Sequence, residues 1–294
     1  MTLFKYPEDR LPVAVAVGLT VLDVAIYLFV GNPWLLVGYW LLMVIPKGVL
    51  SAWNHHHQHV PTFRSTVLNR VLELCYALHT GVSTHTWVLH HVLGHHQNFL
   101  DQEKDESRWK RADGRPMGVL QYTFEVALTA YPRAFQVGRR YPAHQRQFLI
   151  FGALTFLLVT ALVAYRPLAG VMLFALPMVC SMLYTAWVTY DHHSGLDTED
   201  HFQASYNNLN SWFNRLTGNL GYHTAHHYRQ GVHWSKLPEL HARIEQHIPA
   251  HLFRKSTFHV VLPEAAEQRD LGRVSSAEPR SSVPSAERRS SVRA

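Results

Sequence analysis

The stretch Leu11–Val30, LPVAVAVGLTVLDVAIYLFV, decides the architecture. At about 1.5 Å of rise per residue it is long enough, as a helix, to cross a hydrocarbon core of about 30 Å. Its one charge is Asp23. A second apolar block follows from Trp34 to about Ile45, with only Gly31, Asn32 and Pro33 between the two. So short a connection makes the pair an antiparallel hairpin. The design returns at Phe148–Tyr165 (FLIFGALTFLLVTALVAY) and Leu168 to about Trp187, joined through Arg166 and Pro167. The expectation is an all-α integral membrane protein with four transmembrane helices in two hairpins, spanning about 11–30, 34–50, 148–165 and 168–188.

Basic residues orient these spans. The segment between the hairpins carries eleven Lys or Arg, from Arg64 through Arg146, against one in the two far-side turns. By the positive-inside rule the polar segments form a cytoplasmic helical cap, with both termini on the same side. The first block follows acidic as well as basic residues and lacks a small-residue cleavage site, so no cleaved signal peptide is expected. The mildly negative mean hydropathy would suit a soluble helical protein. It is set instead by the cap and by a Ser/Arg-rich tail over 263–294, expected to be disordered, leaving residues 1–262 as one catalytic unit.

Of 294 residues, 22 are histidine and only 16% are charged. Three clusters hold many of the imidazoles. His55 and His59, in His55-His56-His57-Gln58-His59, lie at i, i+4 where the second span emerges, on one helical face. His91-Val-Leu-Gly-His95-His96 supplies another i, i+4 pair plus a neighbour that reaches a second metal from the adjoining face, with His85 and His90 as extra candidates. His223-Thr-Ala-His226-His227 repeats the spacing after the fourth span has returned to the same side. One cluster alone is weak; three on one level of a membrane scaffold point to metal. Eight imidazoles exceed the four of a structural zinc and imply two metals, and imidazole suits iron, zinc or copper. Zinc proteolysis is disfavoured, because the first cluster lacks the Glu of HExxH. A non-enzymatic metal carrier would place its ligands within the spans, which are nearly clean.

Other classes drop out. Cys75 and Cys180 form no thiolate metal motif. The net charge of +6 is spread without a nucleic-acid-binding module. No Gly-rich dinucleotide fingerprint, iron–sulfur cysteine cluster or fused haem domain is present, so electrons for redox chemistry come from a separate protein.

The pattern His55-xxx-His59, His91-xxx-His95-His96 and His223-xx-His226-His227 resembles the membrane fatty acid desaturase superfamily, which includes acyl and alkane hydroxylases. The likeness extends to Asn219-Leu-Gly-Tyr-His-Thr-Ala-His-His and to His233-Trp-Ser-Lys-Leu-Pro-Glu-Leu-His. It covers roughly residues 10 to 250. The resemblance implies two iron ions, dioxygen as co-substrate and desaturation of a lipid or fatty acyl chain, with hydroxylation as the alternative. The electron donor it implies is a ferredoxin or small cytochrome with its reductase. It also implies a further ligand before the last box, for which His192 and His193 compete and His193 is favoured. The register of the first box stays open at His56 and His57. Asn54, Asn98, Asp101, Asp105, Asp191 and Asn219 stand beside the boxes as candidates to orient the imidazoles. Trp53, Trp87 and Phe99 are candidates to line an acyl tunnel.

Overall fold

The computed structural model describes residues 2–254. The tail from 263 therefore lies outside the described residues. The chain is mostly helical, and the main elements are α1 (Arg10–Phe29), α2 (Pro33–His59), α3 (Thr66–Thr80), α4 (Val119–Gly138) and α5 (Pro142–Tyr165). They continue with α6 (Pro167–His193), α7 (Ser211–Thr217), α8 (His223–Tyr228) and α9 (Leu237–Ile244). A π-helical segment, Val88–His95, lies between α3 and α4.

Four of these helices, α1 with its preceding turn (Pro7–Phe29), α2, α5 and α6, are long and apolar enough to cross a membrane. Their outer faces stay bare: Phe29 is 85%, Trp34 80%, Leu42 71% and Phe156 71% exposed. Apolar surface on that scale is untenable in water and expected against lipid. This is a membrane protein.

Local chemistry sets the ends of the spans. The Asn32 side chain caps α2 by accepting from the Trp34 and Leu35 amides at 2.9 and 3.4 Å, and Pro33 opens the helix where a missing N–H costs nothing. Arg166, the one charge of the far-side turns, donates to the Tyr27 carbonyl and, at 2.9 Å, to that of Val30. The turn after α1 and the turn before α6 are thereby held against each other. The histidine-bearing ends of α2 and α6 lie at the opposite end of the helices. Both run past the apolar blocks, α2 to His59 and α6 to His193, so rods that span also deliver ligands.

Inside the bundle Asp23 finds partners that lie far off in sequence. Lys47 Nζ approaches its carboxylate at 2.7 Å, and Tyr39 donates to it at 2.7 Å. Lys47 also donates to the Leu173 carbonyl at 2.8 Å, within the π-helical turn Val171–Ala175 of α6, where the helical ladder is loosened. Charges inside a membrane are retained where they pair, and this pair pins α1, α2 and α6 in one register. Removing one partner strands the other: Lys47→Met is expected to destabilise the protein by about 3–5 kcal/mol, and Asp23→Leu/Lys47→Met by much less. Thermal unfolding in detergent or lipid discs checks this; a double variant as damaged as the single one contradicts it.

Candidate metal centre

Two groups of imidazoles face each other at the histidine-bearing ends of α2 and α6. The first comprises His55, His59, His91, His96 and His226, whose ligand atoms all lie within 4.8 Å of one another. Nε2 of His55 is 2.8 Å from that of His91 and 3.1 Å from that of His59, and Nε2 of His96 is 2.9 Å from that of His91. The second joins His95, His193 and His227 within the same limit. His223 completes it, its Nε2 lying 3.0 Å from that of His193 and 3.2 Å from that of His227. The groups abut where His96 and His227 stack with ring centroids 4.1 Å apart.

The middle box departs from the spacing expected of it. In place of His91 and His95 at i, i+4, the His96 amide bonds the His91 carbonyl at 2.8 Å, an i to i+5 closure. The π-helical turn pairs His91 with His96 in the first group and throws His95 into the second. The last box divides likewise, His226 to the first group and the i, i+4 pair His223 and His227 to the second.

The other histidines near the boxes lie outside both groups. His56 Nε2 reaches the Thr217 carbonyl at 3.0 Å, and His57 is spent on Thr62 at 2.9 Å and Glu73 at 3.2 Å. His85 meets His144 at 3.1 Å, and His192 stacks on His223 at 3.9 Å. It is therefore His193 whose ring enters the second group.

Candidate orienting residues separate in the same way. Asp105 is buried and its Oδ1 accepts from His95 Nδ1 at 2.8 Å, which fixes the tautomer and leaves Nε2 as a bare lone pair. His193 Nδ1 donates to the Ala204 carbonyl at 2.9 Å with the same effect. The Ala204 carbonyl carries no signal in sequence, since any residue there would supply it. Asp101 is corrected: it sits at the surface, ion-paired with Lys104 at 2.5 Å. Asn98 donates to the Gly94 carbonyl at 2.9 Å, Asn54 to Thr80 Oγ1 and the Val82 carbonyl at 3.2 Å each, and Asn219 to the Trp234 carbonyl at 3.2 Å. These three brace loops, and none of their side chains bonds a grouped imidazole among the described residues, though the Asn98 amide donates to the His95 carbonyl at 2.8 Å. Asp191 pairs with Arg254.

Gly94 makes the Asp105 contact possible. A Cβ there would fall 2.6 Å from Glu106 Cγ and 3.1 Å from the Leu89 carbonyl, so only glycine lets the 105–106 segment close on the box.

Electrostatics and donor chemistry both fit metal. Burial, with neighbouring imidazoles adding to it, holds His91, His96, His223, His226 and His227 well below the usual histidine range, so they stand neutral with lone pairs available. Nε2 of His95 and of His226 is buried with no hydrogen-bond partner among the described residues. Around one ion at the usual metal–nitrogen length of about 2.0–2.1 Å, adjacent donors sit about 3 Å apart, which is the spacing seen.

A cavity of about 100 Å³, open to the outside, lies between α2, α4 and α6 and reaches both groups through His55, His91, His95, His193 and His223. Its wall is otherwise largely apolar, with Val49, Ala52, Val126 and Met182, and it includes Trp87. Trp53 and Phe99 are corrected: neither lines it. Trp53 packs on Trp234 at 5.1 Å, and Phe99 on His227 at 4.4 Å.

A family model for fatty acid desaturase matches residues 32–258. No curated protein and no solved structure matches the chain. The match takes in all three histidine clusters and most of the chain, and the protein belongs to the fatty acid desaturase family, a family of oxidoreductases.

Asp105→Ala frees His95 Nδ1, and metal affinity of the second group is expected to fall by about 10–100-fold with the helical content kept; metal titration followed by circular dichroism checks it, and unchanged affinity contradicts it. Acidification tests the neutral state. Folded-state pKa values lie below the unfolded one, so the folded protein binds fewer protons and stability is lost as pH falls. Chelator-treated protein should therefore melt at lower temperature in steps from about pH 7.5 to 5.5, and a flat profile contradicts this.

Proposed function

We propose that the chain is a dioxygen-dependent fatty acyl desaturase that introduces a double bond into a lipid-borne acyl chain. The observation that carries this reading is the apolar cavity ending on both histidine groups. His55, His59, His91, His96 and His226 would hold one iron, and His95, His193, His223 and His227 the other. So held, two irons would supply dioxygen activation and the one-electron oxidising power needed at a methylene that no base can deprotonate.

This chain's own residues do the rest. The apolar cavity wall strips water from the acyl chain and holds it extended. Asp105 and the Ala204 carbonyl keep His95 and His193 from turning. Outcome depends on where the chain lies: removal of a second hydrogen from the neighbouring carbon gives an alkene, whereas return of oxygen to the first gives an alcohol. In this reading the chain lies with adjacent methylenes beside the two histidine groups, which gives the alkene.

The histidine end is assigned to the cytoplasmic side on the basic residues of the 64–146 segment. There it meets soluble electron carriers, which this chain needs because it has no electron-transfer cofactor motif of its own.

Expression with a ferredoxin and its reductase, followed by mass spectrometry of membrane lipids, tests the proposal. Acyl chains lighter by two hydrogens are expected, and none with His226→Ala. Chains heavier by one oxygen would make the protein a hydroxylase, and product formation that survives His226→Ala would remove the metal reading.

A further inference from the structure

On the other side of the first histidine group from the cavity wall, an aromatic string leads outward. Trp234 is half-buried, its ring centroid 6.5 Å from that of His56 and 5.1 Å from that of Trp53. His56 stands 6.3 Å from His226 and 5.2 Å from His55, both members of the group. Neither Trp234, Trp53 nor His56 lines the large cavity. Gly218, with φ +64°, permits the packing, because a Cβ there would fall 2.7 Å from the Trp53 ring and 3.0 Å from His56. Two ring-to-ring steps thus join the exterior to the first group.

The N-terminal segment straps this string in place. Phe4 bridges to Phe63, the Lys5 amide bonds the Thr62 carbonyl at 2.9 Å, and Tyr6 stacks on His233 at 3.9 Å. Buried Asp9 then accepts from Trp234 Nε1 at 2.8 Å and from His233 Nε2 at 3.1 Å, which fixes the indole plane. The strap carries exposed Lys5 and Arg10 to the neighbourhood of exposed Arg64 and Lys236, with exposed Glu8 among them and Glu239, one turn after Lys236, paired with Arg243. A basic rim surrounds the mouth of the string.

A second string, His201 to Phe99 to His227, has ring separations of 5.4 and 4.4 Å. It passes through a phenyl ring, whose electrons are bound more tightly than those of indole and couple less well. Its neighbouring loops are of mixed charge: Asp101 is paired with Lys104 and Asp197 with Lys110, and Glu103, Glu199 and Asp200 share these loops with Arg108 and Arg111. An acidic carrier is drawn more strongly to the basic Trp234 face than to this mixed rim.

We propose that Trp234 is the electron port: an acidic one-electron carrier protein, iron–sulfur or haem, docks on Lys5, Arg10, Arg64 and Lys236 and delivers electrons through Trp234 and His56 to the metal site built on His226. Each transfer oxidises one carrier by one electron. Two carriers give two electrons, the two substrate hydrogens give two electrons and two protons, and two further protons come from solvent, which together reduce one dioxygen to two waters. The port rests on the di-metal reading above, and metal content separates the two.

The test uses the full-length, iron-loaded protein in lipid discs, with iron per chain measured first. Anaerobic stopped-flow absorbance follows reduction of the oxidised centre by an acidic [2Fe–2S] ferredoxin and, separately, by dithionite. Ferredoxin reduction should slow with added salt, and should slow by about tenfold or more in Trp234→Leu and in K5E/R10E/R64E/K236E, with Trp234→Phe slower than wild type but faster than Trp234→Leu. Dithionite should reduce all four proteins alike. Ferredoxin rates unchanged in Trp234→Leu, with two irons bound, overturn the port alone, as does equal slowing by both reductants. A quadruple variant that loses binding to phosphatidylglycerol vesicles but keeps its ferredoxin rate makes the rim a lipid contact and overturns the dock. A wild-type protein without redox-active metal overturns the functional reading and the port with it.

Discussion

Nine imidazoles packed ring against ring in a buried volume are the constraint on which the rest of this structure turns. Together they bring polar nitrogens out of water, and six of those nitrogens have no hydrogen-bond partner among the described residues. Buried polar atoms without partners are costly, so such an assembly persists where something the protein binds repays it. The surrounding structure serves to hold lone pairs inward. Asp105 and the Ala204 carbonyl take ring protons on the far side of His95 and His193. The π-helical turn apportions His91 and His96 to one group and His95 to the other, a division a regular helix would not make.

The scaffold couples that site to the cavity. Because α2 and α6 line the cavity with their inner turns and end in ligands, any slide of one helix against the other would misplace both together. The Asp23–Lys47 pair and the bond from Lys47 to the π-turn carbonyl of Leu173 set that register from within the apolar layer, and Arg166 ties the far ends. Polar contacts are few in these spans, and they fall where helix position must be specified.

Much of this was legible in sequence. Apolar run length marked the four long helices, and His55 and His59 fall on one helical face because the first box continues an uninterrupted helix. What escaped depended on backbone geometry or distant pairing. No residue type announces a π-helical closure, so His95 and His96 exchanged the places that i, i+4 spacing assigns them. Gly94 looks like an ordinary helix interior until the 105–106 segment is seen pressed against it. Asp101 and Asp105 stand four apart in one charged run, and only folding shows that the second turns inward to His95 while the first stays with Lys104. Asp23 and Lys47 read as isolated charges because their meeting requires two helices to pack.

Iron per chain, measured by mass spectrometry on wild type and on variants that each disable one group, tests the central claim most directly. Two ions in wild type, with His59→Ala and His193→Ala each retaining one, is the predicted result. A single ion in wild type, or one that survives both substitutions unchanged, would contradict the account of two histidine groups each holding its own metal.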